Sequence, residues 1–232
     1  MGRTVAVVLG AGSGERARHA VNKVYLDLDG LPIIARAVRP FIDHPDIDET
    51  YVVAAPGELG KCAEVLRNAG CVVHGILPGG ATRHASEAGA VEHFAARIES
   101  GDIDLVLIHD GARPIYHGAS LATLLDRARK GGGAICGVPL KEDLVSVTDH
   151  GVSGWRPTED LWCAQTPQVF QAPILLDAFR AARTAGFAGT DTASTVERMG
   201  LPVEIVEGDP RNIKITFPED VVLAASLVRA PR

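Results

Sequence analysis

Three glycines, an arginine and a lysine near the start of the chain have the types and spacing to handle phosphate. They lie in Gly10-Ala11-Gly12-Ser13-Gly14-Glu15-Arg16, with Lys23 after a short polar run, and the apolar stretch Val5-Ala6-Val7-Val8-Leu9 leads into them. Gly10, Gly12 and Gly14 carry no side chain, so backbone N–H groups can approach phosphate oxygens and the turn can adopt positive φ. Arg16 and Lys23 add two cations beside it, as a triphosphate needs. The G-K-[ST] ending of a P-loop is absent. A dinucleotide fingerprint also fits badly, because its third glycine would fall at Glu15 or Ala17. A glycine-rich turn after a strand is often only a tight turn, and either cation could be a solvated surface charge. The loop alone leaves both readings open.

The elements that must position these residues alternate between strand and helix signals, the pattern of a mostly parallel sheet with crossover helices. Thr4–Leu9 reads as a strand without polar alternation, as expected when both faces are covered. Further strands are expected at 24–28 (short), 50–55, 71–77, 104–109, 134–139, 203–206 and 213–216. Helices are expected from Pro32 to Phe41, Leu59 to Ala69, Thr82 to Ile98, Ser120 to Lys130, Pro173 to Thr184, Asp191 to Met199 and Pro218 to Val228. A turn is expected at Thr166-Pro167-Gln168. Residues 140–160 break the rhythm: Val145–Thr148 and Val152–Trp155 flank Asp149-His150-Gly151 and predict a β-hairpin arm. Trp155 and Trp162 are expected to pack that arm and its base. The expectation is a single domain over residues 1–232 with the arm as an excursion.

A formal net charge of −6 argues against a broad grip on nucleic acid, and aromatics at 5% argue against a base-stacking platform. Cys62, Cys71, Cys136 and Cys163 form no C-x-x-C pair and suit buried, reduced thiols. The five-residue apolar run near the start is too short for export or for spanning a membrane. A cytoplasmic protein with no nucleic-acid or membrane partner is expected.

Taken together, the motifs say more than the loop does. G-A-G-x-G-x-R followed by Lys23 and Tyr25 resembles the signature of nucleotidyltransferases that join a sugar or polyol phosphate to a nucleotide. Gly79–Ser86 resembles the G-G-x-x-R-x-x-S segment of one branch, and Val106–Pro114 resembles its V-L-V-H-D-A-A-R-P. Gln165–Phe170, Thr190–Ser194 and Asn212–Asp220 match its Q-T-P-Q-x-F, T-D-x-A-S and N-I-K-I-T-x-P-x-D. That branch is the cytidylyltransferase of the methylerythritol phosphate pathway, with its sister that makes CDP-ribitol. The resemblance runs from residue 5 to residue 228 in the family's order.

The resemblance implies an α/β Rossmann-like nucleotidyltransferase (GT-A-like) fold, a three-layer α/β/α sandwich whose mixed sheet is mostly parallel. It implies CTP over the glycine loop and attack by a polyol phosphate on the α-phosphorus, releasing pyrophosphate. Arg16, Lys23 and Lys214 would be catalytic. Gly10, Ala11, Gly12, Gly14, Gly80, Ala81, Ser86 and Asp110 would bind the nucleotide. Asp110, Arg113, Arg156 and Thr190 would face the acceptor. Mg²⁺ would be held mainly by the CTP phosphates, with Asp110 as the one candidate protein ligand. The arm would clasp a second copy in a homodimer.

Structural readings compete at several of these positions. Asp110 could cap a turn, Arg113 could form a structural ion pair, Ser86 could be a plain helix residue, and Thr190 or Asp191 could cap a helix. Lys214 resists such a reading, because a lysine within an apolar strand needs a partner or a ligand. His84 and His109 are expected to flank the site without acting, because an ionised phosphate needs no general base. The arm departs from the family: Glu142-Asp143-Leu144-Val145 lacks its lysine, and Thr158 stands where an arginine is usual, with Arg156 two residues earlier. Ala81 and Gly111 also depart. The acceptor is therefore open between methylerythritol phosphate, ribitol 5-phosphate, another polyol phosphate and a small phosphonate. A catalytically silent nucleotide-binding module is the reading from another class.

Overall fold

Strand periodicity decides the layers. In β1 (Arg3–Leu9), Ala6 and Val8 join one buried apolar cluster, while Val5 and Val7 join another on the opposite face. The computed structural model that shows this describes residues 2–12 and 22–230, so Gly14 and Arg16 lie outside the described residues. After the loop, β2 (Asp27–Leu28) and β3 (Leu31–Pro32) form a small hairpin whose Asp29 and Gly30 both have positive φ, as a type I′ turn requires. The chain continues through α1 (Ile33–Ile42), β4 (Glu49–Ala54), α2 (Leu59–Asn68), β5 (Gly75–Pro78), α3 (Arg83–His93), α4 (Ala95–Glu99) and β6 (Ile103–Asp110). Then follow α5 (Leu121–Gly131), β7 (Gly133–Pro139), the hairpin β8 (Leu144–Thr148) and β9 (Gly151–Arg156), and β10 (Trp162–Gln171). The chain closes with α6 (Ala172–Thr184), α7 (Thr192–Glu197), β11 (Glu204–Glu207) and α8 (Pro218–Arg229).

The main sheet has the order β11-β7-β10-β6-β1-β4-β5. Only β10 runs antiparallel to its neighbours, β6 and β7. Helices cover both faces, so the expected mostly parallel, three-layer Rossmann-like architecture is present. From β1 the chain winds outward to β4 and β5, then returns to the other side of β1 with β6. Open α/β sheets bind ligands at the strand carboxyl ends where the order reverses in this way. Pairing of Leu9 with both Val53 and Asp110, and of Ala54 with Pro78, brings the ends of β1, β4, β5 and β6 to one edge. Gly10–Gly12, Gly79-Gly80 and Asp110-Gly111 all emerge there.

Several expected elements take a different form. Residues 24–28 are not one extended piece, because Lys23–Tyr25 is a 3₁₀ turn capped by Asn22. The strand expected from Cys71 starts only at Gly75, since the Cys71 N–H is spent on Leu66 O at the end of α2. The helix expected from Thr82 to Ile98 breaks at Phe94, whose tightened turn seats its ring against Tyr51 at 4.9 Å. The turn expected at 166–168 lies within the span of β10, where the pairing register shifts between Ala164 and Gln168 and the Thr166–Pro167 peptide is cis. No strand forms at 213–216; that segment is tied to the sheet edge by Ile215 N–H donating to Ala112 O.

The hairpin forms as expected, but Trp155, expected to pack the arm, is largely exposed. It is 71% exposed, beside exposed Val147 and Val152. No helix among the described residues is long and apolar enough to cross a membrane.

Phe41 connects the helical layer to the site edge. It is fully buried and its ring lies 5.0 Å from that of His109 and 5.7 Å from that of Tyr116. Phe41→Ala is expected to destabilise the protein by about 3–5 kcal/mol, the range for truncating a buried aromatic. Denaturant unfolding of the two proteins measures this, and a loss below about 1 kcal/mol would contradict the packing assigned to Phe41.

Candidate active site

A cleft of about 660 Å³ opens at the carboxyl edge of the sheet. Among the described residues its walls come from five stretches: Leu9, Ala11 and Gly12 at the end of β1; Lys23 and Val24; Gly80–Arg83 and Ser86; Asp110 and Ala112; and Lys214 and Thr216.

Each stretch is fixed by local chemistry. Gly10 N–H donates to Val53 O at 2.7 Å, and a Cβ on Gly10 would press on Ile34 and on that carbonyl. Neither Gly10 nor Gly12 has positive φ, so what glycine provides at Gly10 is close approach, not a left-handed turn. Asn22 returns the chain to the same place: its Nδ2 donates to Gly10 O and to Glu58 Oε2, both at 3.1 Å. Its Oδ1 accepts from Val24 N, and this cap sets Lys23 on the cleft wall. Gly79 packs directly on the Ala11 methyl, which brings the loop against the end of β5.

Thr82 caps α3 as expected, accepting from Ala85 N at 3.0 Å. The Ser86 hydroxyl accepts from Gly80 N at 3.0 Å and donates to Thr82 O at 2.9 Å. Ser86 is therefore no plain helix residue; it locks the turn that presents Gly80 and Ala81 to the cleft.

Asp110 is the electrostatic centre. Its Oδ2 lies 2.8 Å from Lys214 Nζ and 3.7 Å from Arg113 Nε, and its Oδ1 lies 3.1 Å from Arg83 Nε. Burial pushes its pKa up, but the three cations outweigh that and hold it well below the usual carboxylate range. Arg83 shows the reciprocal effect: burial works to lower its pKa, and Asp110 and Glu87 raise it overall. Both Asp110 oxygens face cations, an arrangement that suits gathering positive charge for an anion better than ligating a metal. Among the described residues no group of three or more His, Cys, Asp or Glu side chains is placed to hold a metal ion.

Behind Asp110 the strand end is pinned. Thr166 Oγ1 accepts from Asp110 N and contacts His109 Nδ1, both at 3.0 Å, while His109 Nε2 lies 3.1 Å from Arg113 O. This chain of bonds closes with a neutral imidazole protonated at Nε2, donating to the carbonyl. His109 is fully buried, and burial lowers its pKa to about 4. It clamps the 110–113 turn and does not reach the cleft.

The sequence-predicted residues divide accordingly. Ala11, Gly12, Lys23, Gly80, Ala81, Ser86, Asp110 and Lys214 come together on the cleft, and Gly10 supports it from behind. Arg113 does not line it; its Nη1 donates to Asn212 O at 2.7 Å, which holds the 212–216 segment. Thr190 does not line it either, and the cap of α7 is Asp191, in a capping box with Ser194. Arg156 lies on the exposed hairpin, donating from Nε to Ser146 Oγ at 2.8 Å. The lysine expected inside an apolar strand sits in an irregular segment, and its partner is Asp110. Arg83, Thr82, Thr216 and Asn22 were missed. Arg83 carried a legible signal: a cation in the first turn of a helix opposes the helix dipole and needs a carboxylate nearby.

The cleft belongs to a chain with full-length relatives. The IspD family model, 2-C-methyl-D-erythritol 4-phosphate cytidylyltransferase, matches residues 4–230. The 2-C-methyl-D-erythritol 4-phosphate cytidylyltransferase of Geotalea uraniireducens is 40% identical over 230 residues, covering 98% of this chain and 97% of the relative. That of Desulforamulus reducens is 38% identical over 232 residues, covering 99% and 97%. Among solved structures, the enzyme of that name from Thermus thermophilus superposes with a TM-score of 0.76 at 32% identity, covering 97% of this chain and 98% of that one.

The buried His109 gives a pH prediction. Its pKa is depressed from 6.5 in the unfolded chain to about 4 when folded. The unfolded state therefore binds the proton more readily, and stability contributed by the neutral ring is lost as pH falls from about 6.5 to about 4. NMR titration of His109 should give a midpoint near the lower value, and a midpoint near 6.5 would contradict its buried, neutral clamp. Whole-chain matches to the family model and to these relatives place this chain in the 2-C-methyl-D-erythritol 4-phosphate cytidylyltransferase family.

Proposed function

We propose that this protein transfers CMP from CTP to 2-C-methyl-D-erythritol 4-phosphate, releasing pyrophosphate and forming the CDP-polyol. The observation that carries this reading is the shared cleft. Lys23, Lys214 and Arg83 line it from three separate segments, with Asp110 between the last two, and Gly80, Ala81 and Ser86 line it from the same stretch as Arg83.

The reaction makes one P–O bond and breaks another. An ionised phosphate oxygen of the acceptor attacks the α-phosphorus in line with the departing pyrophosphate. The demand is positioning and charge neutralisation, and no group must remove a proton from the nucleophile. Lys214, held by Asp110, suits the α-phosphate and the incoming phosphate. Lys23 suits the triphosphate, with Arg16 of the same loop assigned beside it from sequence. The exposed Gly80-Ala81 turn suits the cytosine edge, and Ala11 the nucleoside. A magnesium ion would be held mainly by the CTP phosphates and would supply further charge neutralisation there; the cationic surroundings of Asp110 do not favour that carboxylate as its ligand.

We further assign the chain to one catalytic domain whose 140–160 hairpin joins two copies. An isolated two-stranded ribbon is marginal in water, and this one exposes Val147, Val152 and Trp155. In such a dimer Arg156 and Thr190 would meet the acceptor. Consumption of CTP and the four free cysteines fit the reducing cytoplasm.

Pyrophosphate release with magnesium, CTP and methylerythritol phosphate tests the reaction. Rapid turnover of ribitol 5-phosphate or a phosphonate, with none of methylerythritol phosphate, would move the assignment to another acceptor. CTP binding without turnover of any acceptor would make the protein a silent module. Lys23→Ala and Lys214→Ala should each lower kcat by ~10²-fold or more, the scale of losing one preorganised charge donor. Rates near wild type in either variant would remove that lysine from the mechanism. Sedimentation at micromolar concentration should show a dimer, and a monomer there would argue against the clasp.

A further inference from the structure

The charge network at Asp110 continues inward to a residue with no part in the reaction just described. Glu87 lies one helical turn after Arg83 on α3 and is fully buried. Its Oε1 faces Arg83 Nη1 and accepts from Thr192 Oγ1, each at 2.7 Å. Its Oε2 is buried with no hydrogen-bond partner among the described residues. Thr192 opens α7, directly after Thr190 and Asp191. On the same helix, His84 Nδ1 accepts from Gly189 N at 3.3 Å. Two side chains of α3 therefore hold the two ends of segment 189–192, while Gln168 holds Asp191 between them at 3.0 Å. The first turn of α3 presents Gly80 and Ala81 to the cleft, and its Arg83 reaches Asp110.

We infer that Glu87 is a positioning residue that couples the nucleotide half of the cleft to the 189–192 segment, acting through Arg83 on one side and Thr192 on the other. The inference rests on the proposed reading of the cleft, with 189–192 on its acceptor side. Packing alone does not account for a carboxylate here, because burying one is costly unless it is paired, and an apolar side chain fills such a position without that cost. Burial raises its pKa to about 7, and the opposing charge of Arg83 is the main influence keeping it from rising further. Asp110 and Asp191 also face this group, and both push its pKa up.

Steady-state kinetics of Glu87→Gln, Thr192→Val, Thr192→Ser and the Glu87→Gln/Thr192→Val double variant test the coupling. Wild-type turnover is established first, on methylerythritol phosphate or, failing that, ribitol 5-phosphate. Absence of turnover on both would remove the functional reading and this inference with it. Glu87→Gln keeps the size but loses the charge facing Arg83, so KM for the acceptor should rise roughly tenfold, as for the loss of one modest charge–charge contact. KM for CTP should stay within about twofold, and the double variant should fall well short of the product of the single effects. An unchanged acceptor KM, a parallel rise in both KM values, or fully multiplicative effects would overturn the inference. Should Glu87→Gln fail to fold, the threonine pair carries the test: Thr192→Val should raise the acceptor KM and Thr192→Ser should not. Equal KM values for these two would overturn it.

Discussion

The site depends on a carboxylate surrounded by cations at the end of a buried strand. Asp110 is taken out of water by β6 and its neighbours, and it stays ionised only because Arg83, Lys214 and Arg113 converge on it. Those cations come from α3, from the irregular segment before α8, and from the turn after β6. One interaction thus ties together three parts of the chain far apart in sequence. Removing any one cation would leave the carboxylate less compensated in a low-dielectric setting, which costs more than the pair was worth in water. The cationic surface facing the cleft follows from satisfying Asp110.

Several family motifs turn out to hold the frame. In Gln165-Thr166-Pro167-Gln168, Thr166 braces Asp110 and His109, and Gln168 braces Asp191. The Asp191 and Ser194 of the following motif close a capping box at the start of α7. Asp220 accepts from Thr216 N and Phe217 N at 2.7 and 2.8 Å, which folds the chain into α8 and steadies the segment carrying Lys214. Motif membership therefore marks two populations, residues on the cleft wall and residues that fix the wall in place.

The local patterns made the sheet legible. Strand β1 has uninterrupted apolar residues because both its faces are covered, and Thr82 and Gly70 punctuate helices as their chemistry dictates. Where the reading failed, a tertiary bond had overridden a local preference. Cys71 looked like a strand start until its N–H was claimed by α2. Ile213–Thr216 has strand-like alternation, but among the described residues its backbone bond to the sheet side is Ile215 N–H to Ala112 O. At the site, the cleft-lining lysines were visible by type and motif. Arg113 and Thr190 were not separable from support roles, because a guanidinium aimed inward at Asn212 O reads in sequence like one aimed at a ligand. Asn22 and Glu87 were hidden for a related reason: their value lies in partners 12 to 105 residues away.

The cation cluster also bears on what the molecule turns away. The chain as a whole carries a formal charge of −6, so the cleft is a positive spot on an acidic body. At physiological ionic strength charges are screened within about 8 Å, so each field reaches only its near surroundings. A small anion entering the cleft feels mainly Lys23, Lys214 and Arg83 on its walls. A long polyanion would also span surface beyond the cleft, on a body whose net charge is negative. Admission is thus graded by the size of the anion as well as its charge. A free nucleotide is therefore better matched to the cleft than a long nucleic-acid strand carrying the same phosphates.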